Sequence, residues 1–217
     1  MPIIRHKGQH GTRLIYFAHV PKCAGTAVSR YVTERTGPMA LFDTGFLSVP
    51  HRQRWSKSSP QHIPIAALAR LFPPGFFDAS FAVIRDPVDR IAAVYLFQRD
   101  KEGSIPADLS FEDWLLSLAD LPPERPFIYD NHIRPMVDFI PDDAVVFRIE
   151  DGLEGLRVWL DETLDLPADP AHAQIPRINT RYRWAGKDAA RLAISAPARA
   201  LVAERFAADY ERFGYDS

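Results

Sequence analysis

The apolar positions of this chain alternate between two patterns. Residues 14–20 form a continuous apolar and aromatic run closed by Pro21, as expected of a strand buried on both faces. Past a short loop, Thr26 opens a stretch with apolar Ala27, Val28 and Tyr31 that ends at Gly37 and Pro38, which predicts a helix. Residues 39–60 show no period and read as a long loop, and residues 64–72 predict a short helix stopped by Pro73, Pro74 and Gly75. Residues 81–84 repeat the buried-strand pattern. Asp86 as N-cap, Pro87 at the first helical position and Asp89 in the first turn then open a helix running to about Arg99. Ser110 and Asp113 resemble a capping box for a helix ending near Ala119. Residues 145–149 make a third strand, followed by an amphipathic helix carrying Leu153, Leu156, Trp159, Leu160 and Leu164. Residues 187–213 read as helix with a break at Pro197 and an apolar stripe of Val202, Phe206, Tyr210 and Phe213.

Strands that alternate with helices predict an α/β layer fold with a mainly parallel sheet, right-handed crossovers and ligands at the carboxyl ends of the strands. The 217 residues and 47% hydrophobic composition suit one domain spanning the whole chain. Lys and Arg number 26 against 28 Asp and Glu, a net charge of -2, so no global field attracts nucleic acid or an anionic membrane. Any anionic ligand must be held locally. Cys23 is the single cysteine, which excludes an intrachain disulfide and a cysteine-rich metal site and suits a reducing compartment. Residues 1–13 lack the apolar core of a signal peptide, and no run of about 18 apolar residues is present, so the expectation is a cytoplasmic chain without a membrane span.

The chemistry concentrates at the two strand-to-helix junctions. The loop of Pro21, Lys22, Cys23, Ala24, Gly25 and Thr26 precedes a helix N-terminus, where unpaired N–H groups and the helix dipole favour a phosphate or sulfate. Gly25 allows close backbone approach, Lys22 adds a mobile positive charge, and Thr26 a hydroxyl donor. A well-capped turn with an exposed lysine has the same sequence. A Walker loop is not matched, because its lysine directly follows a glycine whereas Lys22 precedes Gly25. A cysteine phosphatase would carry arginine at the position of Ser29, with Arg30 one step too far around the helix.

Residues 14–30, centred on His19 to Thr26, resemble the 5′-phosphosulfate loop of sulfotransferases that use 3′-phosphoadenosine 5′-phosphosulfate (PAPS), and residues 83–90 resemble the element of that family that grips the 3′-phosphate. Two such motifs in the right order are more specific than either alone. The resemblance, nearest to the bacterial and glycan-directed (heparan 2-O-sulfotransferase-like) branch, implies a P-loop-NTPase-like three-layer fold. It further implies transfer of a sulfuryl group from PAPS to a hydroxyl or amine, with a glycan or small molecule as acceptor and no metal. It places Pro21, Lys22, Cys23, Ala24, Gly25, Thr26, Ala27, Arg85 and Arg90 at the cofactor, with Lys22 also catalytic, and offers Thr180 or Arg181 as replacements for a missing 3′-phosphate ligand. The chain departs from the family pattern at Ala93 and Ala27, where serine is usual. Residues 59–64 resemble the segment that carries the general base, which points to His62; on chemistry alone His62 has no advantage over His19 or His132. A non-catalytic nucleotide-binding or scaffold protein on the same fold, and a P-loop kinase, are the alternatives. The cluster of Arg52, Arg54, Trp55 and Lys57 is read either as the lining of an acceptor groove or as solvated loop charge.

Overall fold

A computed structural model describes residues 2–120, 127–178 and 192–216. Four strands make one sheet in the order β1 (Ile3–Gly8), β2 (Gly11–Ala18), β3 (Ala79–Ile84) and β4 (Val145–Arg148). β1 runs antiparallel to β2, whereas β2, β3 and β4 are parallel, with Ala18 opposite Ala82 and Ile84 opposite Arg148. The carboxyl ends of the three parallel strands therefore share one edge, where α/β sheets place their ligands. The expected mainly parallel sheet flanked by helices is present. β1 was not anticipated, because its burial falls off after Ile3 and Ile4 and its remaining residues, Arg5 to Gly8, carry no apolar alternation. It covers an edge that β2 would otherwise leave unpaired.

The helices are α1 (Gly25–Thr36), α2 (Ile65–Leu71), α3 (Pro87–Asp100), α4 (Phe111–Ser117), α5 (Glu154–Thr163), α6 (Ala196–Arg205) and α7 (Ala207–Phe213). Two expected caps form as read. The Asp86 carboxylate accepts from the Asp89 N–H at 2.9 Å, and the Ser110 hydroxyl from the Asp113 N–H at 3.1 Å. Residues 39–60 hold two short 3-10 turns, Phe46–Ser48 and His51–Gln53, in place of a regular element, and a third, Pro60–His62, follows.

One correction concerns the C-terminal helices. Pro197 sits in the first turn of α6, where a missing N–H costs nothing, and the Ser195 side chain caps that end; the break falls at Phe206 instead. Leu192 to Ser195 are not helical, and residues 187–191 lie outside the described residues.

The core has two parts. One wraps the sheet with α1 and α5 through Ile15, Phe17, Val28, Phe81, Val83, Leu156 and Leu160, with Phe17 stacked on Phe81 at 4.7 Å between ring centroids. The other gathers α3, α4, α6 and α7 around Ile91, Val94, Tyr95, Trp114, Val202 and Phe206. No helix among the described residues is long and apolar enough to cross a membrane.

Candidate active site at the carboxyl ends of the strands

The loop after β2 is built from unusual backbone. Lys22 (φ 67°) and Ala24 (φ 60°) both adopt left-handed conformations, an arrangement of the kind that forms anion-binding concavities ahead of a helix. Ala24 is the N-cap of α1 and supplies no side-chain acceptor, and the first turn of the helix holds no acidic residue. An anion at this end of α1 meets the unpaired N–H groups of the first turn without competition from a carboxylate. Thr26 is exposed there, while Pro21, Cys23, Gly25 and Ala27 are buried. The Ala27 N–H is already bonded to the Ala24 carbonyl at 2.9 Å, and its methyl joins the core.

Gly25 is required for a reason the sequence did not show. A Cβ at this position would stand 2.1 Å from Nε2 of His19, whose ring lies directly under the loop. His19 is itself fixed by Phe17 and His62, at 5.1 Å between ring centroids in each case. We predict that Gly25→Ala lowers stability by about 1–3 kcal/mol, the usual penalty of overpacking, and distorts the loop. Thermal denaturation reads the first effect, and loss of nucleotide affinity in the still-folded protein reads the second.

Burial pushes the Cys23 thiol up to about 12 despite the opposing charges of Arg90 and Arg85. A thiol so protonated is no nucleophile, which removes the phosphatase reading on physical grounds as well as by spacing. Lys22 lies over the ring of Phe97 on α3, its ammonium 3.0 Å from the ring centroid. Burial, and after it the charge of Lys101, holds the Lys22 ammonium well below its usual range, with Glu102 pulling the other way.

At the second junction Arg85 is half-buried and pairs with Asp89 at 3.2 Å. Arg90, expected beside it at the 3′-phosphate, is placed differently. It is completely buried, donates to the backbone carbonyls of His132 at 3.1 Å and Arg134 at 2.8 Å, and approaches the buried Asp209 at 3.8 Å. Its guanidinium also lies over Phe206. Arg85 lies just ahead of α3, whereas Arg90 lies inside the helix among its buried residues, and its guanidinium enters the second core. Thr180 and Arg181 lie outside the described residues.

His62 is also largely buried, and a segment remote in sequence completes its surroundings. Its Nδ1 lies 2.7 Å from Oδ2 of Asp130 and 3.0 Å from Oγ of Ser59. Ser59 donates to both carboxylate oxygens of Asp130, through its N–H at 2.6 Å and its hydroxyl at 2.7 Å. The Asn131 side chain donates to the His62 carbonyl at 2.8 Å. To make these bonds, Tyr129, Asp130 and Asn131 take left-handed conformations in succession (φ 51°, 55° and 65°). Each costs roughly 1–2 kcal/mol for a residue with a Cβ, less for Asp and Asn, whose side chains tolerate it best. Burial works against the Asp130 charge, but hydrogen bonds from His62 and Ser59 prevail and hold its carboxyl below the usual carboxylate range.

Three histidines therefore converge. The His62 ring is 5.1 Å from His19 and 4.9 Å from His132, and His132 is 5.5 Å from Phe97, over which Lys22 sits. His19 and His132 are both held well below the ordinary histidine range by burial first and by His62 next. The chain of neighbours from Lys22 through Phe97 and His132 to His62 links the loop to the expected base. Ligand-capable atoms of His62, Asp130 and His132 lie within 4.8 Å of one another. The Asp130 oxygens already accept three protein donors, so the cluster has the form of a closed hydrogen-bonded network rather than of an open coordination site. Asp130 was not found from sequence as a member of this site, and Ser59 entered only as part of the segment that carries His62.

In the loop after α1, Arg54 folds back to donate to the carbonyls of Val49 at 2.8 Å and Leu47 at 3.2 Å. Arg54 thereby secures the loop's own backbone, while Trp55 stays 70% exposed.

No curated protein and no solved structure matched the chain, whereas a model of the sulfotransferase family matches residues 9–216. The match begins at the turn before β2 and ends beyond α7, taking in both strand-to-helix junctions and every strand and helix but β1, and the chain belongs to the sulfotransferase family.

Proposed function

We propose that the protein transfers a sulfuryl group from PAPS to a hydroxyl or amine of a glycan or small-molecule acceptor, with His62 as general base and Lys22 as the charge that stabilises the departing group. The observation that supports this reading most is the placement of His62, held by Asp130, one ring away from the loop that carries Lys22. PAPS supplies the sulfuryl group and a 5′-phosphate oxygen on which negative charge develops as its bond to sulfur breaks.

The residues fit such a ligand at its 5′ end. The left-handed loop, the acid-free first turn of α1, the Thr26 hydroxyl and the Lys22 ammonium all favour an anion. An arriving anion would offset the burial and the Lys101 charge that depress Lys22, and so favour its protonated form. Arg85 is the arginine at the second junction that remains for the 3′-phosphate. His62 takes the acceptor proton, while Lys22 and the first N–H groups of α1 stabilise the charge left on the other side of sulfur.

Calorimetric titration with adenosine 3′,5′-bisphosphate, alongside ATP with Mg²⁺, tests the reading. We expect selective binding of the bisphosphate, weakened about 10- to 100-fold by Lys22→Ala, the loss of one charge-assisted contact. Preference for ATP, or no binding of either, overturns it. A bound bisphosphate with no turnover of PAPS on a panel of glycan and small-molecule acceptors would instead favour a nucleotide-binding role without catalysis.

A further inference from the structure

Which of His62 and His132 takes the proton is decided by the partners of their Nδ1 atoms. At His62, Nδ1 faces a carboxylate, and a carboxylate below its usual range only accepts. The Ser59 hydroxyl gives its own proton to Asp130, so toward His62 it too accepts. Nδ1 of His62 is therefore the protonated atom, shared between Asp130 Oδ2 and Ser59 Oγ, and Nε2 carries the free lone pair. At His132 the surroundings are reversed. Nδ1 lies 3.3 Å from the side-chain nitrogen of Gln98, an obligatory donor, while the Gln98 oxygen accepts from the Ser104 hydroxyl at 2.6 Å. His132 therefore accepts at Nδ1 and carries its proton on Nε2.

We propose that the site holds two neighbouring histidines in opposite tautomers, Asp130 and Ser59 making His62 the proton acceptor at Nε2, and Gln98 with Ser104 making His132 a neutral Nε2–H donor that does not compete for the proton. Asp130 and Gln98 are positioning residues. The proposal rests on His62 being the base of the reaction above, but the tautomers stand or fall separately. The left-handed conformations at Tyr129, Asp130 and Asn131 are the local cost of delivering Asp130 to Nδ1. The charged and titratable groups that bear on the pair are Asp130, His19, Lys22 and Arg90.

Long-range proton–nitrogen correlation spectra of the protein labelled with ¹⁵N in histidine, assigned through the backbone, read the tautomers without any ligand. Near neutral pH we expect His62 protonated at Nδ1 and His132 at Nε2. Both rings in one tautomer, or His62 doubly protonated there, overturn the proposal, whatever the protein binds.

A second variant reads the consequence. In Asp130→Asn one carboxylate oxygen becomes an NH₂ group; the oxygen goes to the Ser59 N–H, and the NH₂ donates to His62 Nδ1, forcing the wrong tautomer. Turnover should fall on the order of 10- to 100-fold, as removal of such orienting partners does elsewhere. Bisphosphate affinity should stay unchanged, and the His62 resonance should leave the Nδ1–H form. A fall in kcat with the His62 resonance still in the Nδ1–H form would overturn the link between tautomer and turnover, whereas absence of bisphosphate binding in the wild type would overturn only the PAPS reading.

Discussion

Replacing His62 by Gln is expected to lower turnover by about 10²–10⁴-fold while leaving the affinity for adenosine 3′,5′-bisphosphate within about twofold of wild type. The split follows from geometry. His62 reaches the loop of residues 21–27 only through ring contacts, with His19 at 5.1 Å and with His132 at 4.9 Å, and among the described residues it makes no hydrogen bond to that loop, so its loss should remove proton transfer without loosening the cofactor. Glutamine keeps a side-chain donor for Asp130, so that the buried carboxylate is not left unpaired and the variant reads chemistry rather than collapse. His132→Gln and His19→Gln are the controls. If either loses as much turnover as His62→Gln, with bisphosphate binding intact, the proton acceptor has been misassigned. If His62→Gln instead loses bisphosphate affinity together with turnover, the residue supports the loop and the base lies elsewhere.

The two junctions were legible because their sequences contain their own stops and caps. The run before Pro21 is a strand, although it ends at Ala18 rather than at the proline, and Asp86 and Pro87 open a helix as read. The sheet was legible in β2 and β3 because buried strands are written as unbroken apolar runs, and in β4 because Val145, Val146 and Phe147 carry the same run although they lie exposed to half-buried. β1 was not, since an edge strand that is half polar carries little signal. The base segment came from resemblance, and its partner did not come at all. Asp130 lies 68 residues from His62, in a stretch whose three successive left-handed residues follow no periodic pattern. Propensity says only that Asp and Asn tolerate such a backbone; it does not say that one will be adopted. Gly25 was read as room for an anion, and the nearer neighbour is the half-buried ring of His19, just past the end of β2. Arg90 is the residue whose placement departs most from the sequence reading. An arginine next to Asp86, Asp89 and a ligand loop suggests a surface anion site, but its helical position shares the buried face of Ile91 and Val94.

That burial makes Arg90→Met the substitution with the largest expected effect on stability, a loss of about 3–5 kcal/mol. Arg90 neutralises Asp209, and neither has any exposure to water. Burial already holds the Asp209 carboxyl above its usual range, with Arg90 opposing it, so removing the guanidinium drives the carboxyl further toward its protonated form. The carbonyls of His132 and Arg134 would lose their donors as well. Asp209 in turn accepts from the N–H groups of Met136 and Val137, at 2.9 and 3.0 Å. α3 and α7 thus grip from two sides the segment that begins with Asp130 and His132, and the C-terminal helix belongs to the support of the candidate site. For a chain of this size the penalty corresponds to a fall in Tm of roughly 6–20 °C by calorimetry. Asp209→Asn added to Arg90→Met should cost less than the sum of the two single changes, by about 1–3 kcal/mol, because the uncompensated charge is gone. Arg90→Met with an unchanged Tm and weakened bisphosphate binding would return Arg90 to the 3′-phosphate, where the sequence first placed it.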